Sequence, residues 1–168
     1  MTRVRIAAFG YAYVGLAVPA FALGDDHENA QSALFAGAAF AFMWFLASLR
    51  AKLVRYDPDG FFAGVVAMGG ASAIALQAAT LLLRQPQFAA PAAACAAVVI
   101  IGSSLAAMRA RKVDRWFGRA GLAGGIAVLG VGMGEGAAGW ALAGTEIYAS
   151  VLGFMIWVVV TSAYLLRP

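Results

Sequence analysis

The feature that most constrains this chain is a succession of six apolar stretches, each about the length of a bilayer crossing and each separated from the next by a short polar connector. They run over residues 6–23, 30–49, 61–83, 88–108, 120–143 and 147–166. The hydrocarbon layer of a bilayer is about 30 Å thick and an α-helix rises about 1.5 Å per residue, so about 20 apolar residues make one crossing. With no water in that layer the backbone must satisfy its own hydrogen bonds, which helices do. The expected fold is all-α, a polytopic membrane bundle of six transmembrane helices forming one domain over residues 1–168. Composition agrees: 63% of residues are hydrophobic, 12% are charged and the mean hydropathy is +0.83. Soluble domains carry about 25% charged residues. The connectors are too short to build a second core, and they predict antiparallel hairpins between consecutive helices.

Lys and Arg collect on the cytoplasmic side of membrane proteins, so their placement gives an orientation. Arg3 and Arg5 precede the first span, and Arg50, Lys52 and Arg55 lie between the second and third. Arg109, Arg111, Lys112, Arg115 and Arg119 lie between the fourth and fifth, and Arg167 follows the sixth. With six spans all of these share one face, and of the 12 basic residues only Arg84 falls on the other. Both termini are therefore expected in the cytoplasm, with Asp25, Asp26, Glu28 and Glu146 outside and the protein in a bacterial plasma membrane. Trp116 and Tyr148 suit interfacial anchoring, while Trp44 and Trp157 are expected to pack between helices. Ala20-Phe21-Ala22 resembles a signal-peptide cleavage pattern, but the preceding apolar run is longer than a usual signal core and reads as a retained helix. The net charge of +4 belongs to residues flanking spans, so it points to topology and anionic lipid and not to nucleic acid.

Glu135 is the most informative side chain, because an ionisable group inside a span is costly. It falls in the outer half of span five, at a depth similar to Gln77 in span three. Two readings stand: a helix-to-helix hydrogen bond between Glu135 and Gln77, or a site for a transported ion, a proton or a ligand. Around Glu135 lie Gly130, Gly132, Gly134, Gly136 and Gly139. The spacings Gly130 with Gly134 and Gly132 with Gly136 permit close helix approach; the same run would also suit an interrupted helix lining a cavity.

Catalytic and metal chemistry find little support. His27 is the single histidine and Cys95 the single cysteine, which excludes bis-histidine haem ligation and multi-cysteine sites within one chain. No cofactor or metal is expected. Ser103, Ser104 and Cys95 lie in span four with no histidine in any span to act as base. Tyr11, Tyr13, Ser72, Thr80, Thr161 and Tyr164 are further polar groups available to a cavity. Asp57-Pro58-Asp59-Gly60 lacks the remaining ligands of a calcium loop and reads as a turn with Asp59 near the N-cap of the next helix. Asp25-Asp26-His27-Glu28 reads as a solvated connector.

Leu49-Arg50-Ala51-Lys52 with Val54 is echoed by Met108-Arg109-Ala110-Arg111 with Val113, as a duplicated hairpin or two helix ends under one charge rule would produce. The stretch from Phe45-Leu46-Ala47-Ser48-Leu49-Arg50 through the Gly- and Ala-rich third span, with Arg115-Trp116-Phe117-Gly118, resembles actinobacterial multi-pass membrane proteins in layout and composition. That resemblance implies the architecture and no activity. The expected function is a non-enzymatic membrane component, self-associating or an accessory subunit of a membrane-protein complex. A small transporter or channel using Glu135 and Gln77 is the alternative, and a membrane enzyme the third reading.

Overall fold

The structure, a computed structural model, describes residues 3–23, 27–57, 59–110, 115–138 and 149–166, with the side chains of 3, 5, 86, 135–138 and 165 left aside. Six α-helices account for nearly all of it: α1 (Arg3–Ala22), α2 (Glu28–Leu53), α3 (Phe61–Leu82), α4 (Ala89–Arg109), α5 (Arg115–Ala138) and α6 (Ala149–Leu166). A 3-10 turn, Pro86–Phe88, joins α3 to α4, and no strand occurs among the described residues. Four helices, α2 to α5, are long and apolar enough to cross a membrane; the apolar parts of α1 and α6 are shorter. The helices outrun several of the expected spans. α2 continues to Leu53, so Arg50 and Lys52 stand on its last turn, where cations complement the helix dipole, and α5 begins at Arg115.

Each helix packs on the next in sequence and α6 returns to α1, closing a ring. Ring pairs show the antiparallel register: Phe9 with Trp44, Tyr13 with Phe42 and Phe21 with Phe35 along α1 and α2, and Phe117 with Tyr164 between α5 and α6. The centre is aromatic. Phe42 meets Phe154 at 5.5 Å between ring centroids, and Phe154 stacks on Trp157 at 5.8 Å. Trp157 is thus a core residue, as expected, but Trp44 is 44% exposed. Trp44 lies about 200° around α2 from Phe42, so it turns outward and stacks on Phe9.

In a bilayer, apolar burial inserts helices but does little to hold them together, since lipid tails are as apolar as leucine. Close van der Waals contact does that work, and glycines permit it. Along α5, Gly118, Gly121, Gly125 and Gly132 face, in order, Met108, Ser104, Ile100 with Ile101, and Ala93 of α4. Gly10 meets Ser162 between α1 and α6, and Gly70 meets Leu46 between α3 and α2. The second half of the possible repeat includes residues 111–114, which lie outside the described residues.

Candidate functional site

Gln77 is 3% exposed, and its side-chain carbonyl accepts a hydrogen bond from the Tyr13 hydroxyl at 3.3 Å. Tyr13 comes from α1 and is itself fully buried against Phe42 and Phe154. A polar link therefore crosses the aromatic centre from α1 to α3. Its length puts it beyond the usual 2.5–3.0 Å range for hydroxyl donors, so its contribution belongs near the average of about 0.6 kcal/mol for bonds between membrane helices. A double-mutant cycle on Tyr13→Phe and Gln77→Leu, read by thermal unfolding in detergent, is expected to give a coupling of about that size. A coupling near zero would remove the link.

Glu135 stands on α5, and its side chain lies outside the described residues, as does the whole of Gly139. The expected pairing of Glu135 with Gln77 therefore falls outside the described residues, and the bond described at Gln77 is the one its carbonyl accepts from Tyr13. The backbone of α5 is α-helical through Gly130, Gly132, Gly134 and Gly136. These glycines separate by face. A side chain at Gly132 would meet Ala93 of α4, with the Ser150 Cβ of α6 at 3.6 Å, whereas Gly130 and Gly134 have nothing within 4 Å.

The other polar groups are largely committed to structure. Ser103 and Ser104 donate to the Ile100 carbonyl at 2.9 and 2.6 Å, and Thr80 donates to Leu76 at 2.9 Å. These are bonds within one helix. Among the described residues, no group of three or more His, Cys, Asp or Glu side chains is placed to hold a metal ion. Asp25 and Asp26 lie outside the described residues, while Glu28 pairs with Arg84 at 2.7 Å. Arg84, the one basic residue assigned to the outer face, therefore meets an acidic residue assigned to the same face. The pair is exposed, and such pairs contribute about 0–1 kcal/mol.

Two capping residues were not identified from sequence. Asp57, not Asp59, caps α3: it is 1% exposed and its Oδ2 accepts from the Phe62 N–H at 2.6 Å and the Ala63 N–H at 3.4 Å. Gly60, at φ 68°, supplies the left-handed turn that brings Asp57 back over the helix end. Gln31 of α2 donates to the Ala20 and Leu23 carbonyls at the end of α1, each at 3.2 Å. The clue in each case was a polar residue at the edge of an apolar run, opposite a helix end that needed partners. No family model, curated protein or solved structure matches the chain.

Proposed function

We propose that the chain is an integral protein of a bacterial plasma membrane, with six spanning helices and both termini in the cytoplasm, that works by association and not by catalysis. The observation carrying this reading is the division of the α5 glycines. Four are used in the seam with α4, but Gly130 and Gly134 face outward with nothing within 4 Å of where a side chain would begin. Small residues four apart let a second helix approach closely, and one such face can serve both partners of a symmetric pair. A second copy of the chain is the proposed occupant.

The distribution of basic residues supports the orientation, and α1 and α6 pack against the longer helices beside them, which supports counting them among the six. The resemblance to actinobacterial multi-pass proteins belongs to the same proposal. The Tyr13 hydrogen bond ties Gln77 into the core, which favours a packing role over a place in a transport pathway.

The test is the mass of the purified protein in mild detergent. A dimer or larger assembly is expected, and Gly130→Ile combined with Gly134→Leu is expected to yield a monomer of unchanged helical content. A wild-type monomer at high protein concentration overturns self-association, and a different protein retained in stoichiometric amount points to the accessory-subunit form instead.

A further inference from the structure

The seam between α5 and α6 is built differently from the others. α5 leans on α4 through its glycines, and an open groove of about 180 Å³ remains beside α6, lined by Gly121, Gly124 and Gly153 among others. At its lower end Phe117 and Trp157 form a wall shared with a second cavity of about 50 Å³, at the end of the bundle where the basic residues gather. Lys52, Tyr56, Thr161 and Tyr164 line this second cavity.

Thr161 carries the argument. It is 4% exposed, and its hydroxyl has no hydrogen-bond partner, although a threonine in a helix ordinarily bonds back to its own backbone, as Thr80 does. A buried polar group without a partner is costly, and Thr161 is one of the residues lining the smaller cavity. Lys52 is half-buried on the same wall, and Arg50, Arg55 and Arg109 stand at the same end of the bundle.

We infer that the two cavities form one binding site for an anionic phospholipid of the cytoplasmic leaflet. One acyl chain lies in the groove between α5 and α6, and the headgroup region reaches the cavity bordered by Lys52 and Thr161. The groove runs from Phe117 to Gly124, about 10 Å of helix, so a chain entering at the basic end points toward the bilayer midplane. Basic pockets between helices on the cytoplasmic side suit anionic headgroups, and an apolar groove adjoining the pocket at Phe117 and Trp157 selects a lipid over a free anion. The inference rests on the membrane reading but not on self-association.

The test uses Trp157 as reporter, in a full-length variant carrying Trp44→Phe, Trp116→Phe and Trp140→Phe, reconstituted in phosphatidylcholine vesicles. Phosphatidylglycerol with brominated chains is titrated in, and brominated phosphatidylcholine in a parallel series. Trp157 fluorescence is expected to be quenched at about fivefold lower mole fraction of the anionic lipid, the effect of one lysine near the surface. Lys52→Gln is expected to abolish the preference and Lys52→Arg to retain it. Gly124 lines the groove, and a Cβ placed there would have nothing within 4 Å, so Gly124→Leu starts in open space and is expected to fill the groove and abolish quenching by both lipids. A second reporter retaining only Trp116, which is 54% exposed, is expected to be quenched equally by both lipids in every variant. Equal quenching of Trp157 by the two lipids, or quenching that survives Gly124→Leu, overturns the site in favour of non-selective surrounding lipid. Loss of the preference on adding inorganic phosphate overturns the lipid assignment in favour of a free anion. A monomer in the association test leaves these outcomes unchanged.

Discussion

Replacing Gly132 with leucine is expected to destabilise the protein by about 3 kcal/mol or more, at or beyond the upper end of ordinary overpacking. The size follows from what the new side chain meets. Its first carbon would fall on the Cβ of Ala93, with the Ser150 Cβ at 3.6 Å, so α4, α5 and α6 converge on this point. A methyl group held directly by its backbone has no rotamer to escape into, and relief requires α4 and α5 to separate. Gly118 offers the contrast, since its nearest neighbour is the flexible Met108 side chain. The loss is read from thermal unfolding with a thiol-reactive dye on Cys95, the half-buried single cysteine of α4. A cost of 3 kcal/mol corresponds to a melting shift of about 6–12 °C. Gly130→Ala and Gly134→Ala, two residues to either side and facing outward, are expected to stay within about 1 kcal/mol of wild type. A Gly132→Leu protein that melts with wild type would falsify the α4–α5 seam.

Asp57→Ala is expected to cost about 2–4 kcal/mol, combining the loss of a helix cap with buried backbone donors left unpaired. The carboxylate is 1% exposed and bonds two N–H groups of the first turn of α3, where the helix dipole also favours negative charge. Asp57→Asn keeps an acceptor but loses the charge assistance, which roughly halves such a bond, so a cost of about 1 kcal/mol is expected. Asp59→Ala, on the exposed side of the same turn, is expected to change stability by no more than about 0.5 kcal/mol. The same thermal assay separates the two carboxylates, and equal costs at Asp57 and Asp59 would remove the distinction.

The Arg109 guanidinium, 4.6 Å from the centre of the Phe62 ring, links the end of α4 to the start of α3 beside this cap. Its stabilisation as an exposed cation–π contact is about 0.5–1 kcal/mol. The basic end of the bundle is therefore tied together by a carboxylate on backbone donors and a cation on a ring. On the opposite side the exposed Arg84–Glu28 pair contributes little. At that end Gln31 also joins the start of α2 to the last carbonyls of α1.

What was legible in the sequence was whatever depends on residue type along one helix. Length and apolarity alone marked α2 to α5, and the backbone's need for internal hydrogen bonds in lipid made them helical. The glycine spacings announced that close approach was possible. They did not announce which face would use it, and the approach falls on Gly118, Gly121, Gly125 and Gly132, with Gly130 and Gly134 left outside. A helical repeat gives an angle around one axis, but the direction of the neighbouring axis comes from the assembled ring.

The site residues divide the same way. Gln77 was recognisable as a costly polar group in an apolar span, because its price is set by the lipid and not by its neighbours. Its partner, Tyr13, is 64 residues away in sequence on another helix, and only packing brings the two together. Asp57 and Asp59 are equivalent as text, yet the left-handed turn at Gly60 buries one and exposes the other. The six apolar stretches and their connectors thus determined by themselves the helical class and the polarity of charge along the chain, since both follow from local composition. The tertiary structure alone decided which glycines are seams, which carboxylate is a cap and where α5 parts from α6, because contacts of a few ångströms depend on how the helix axes meet.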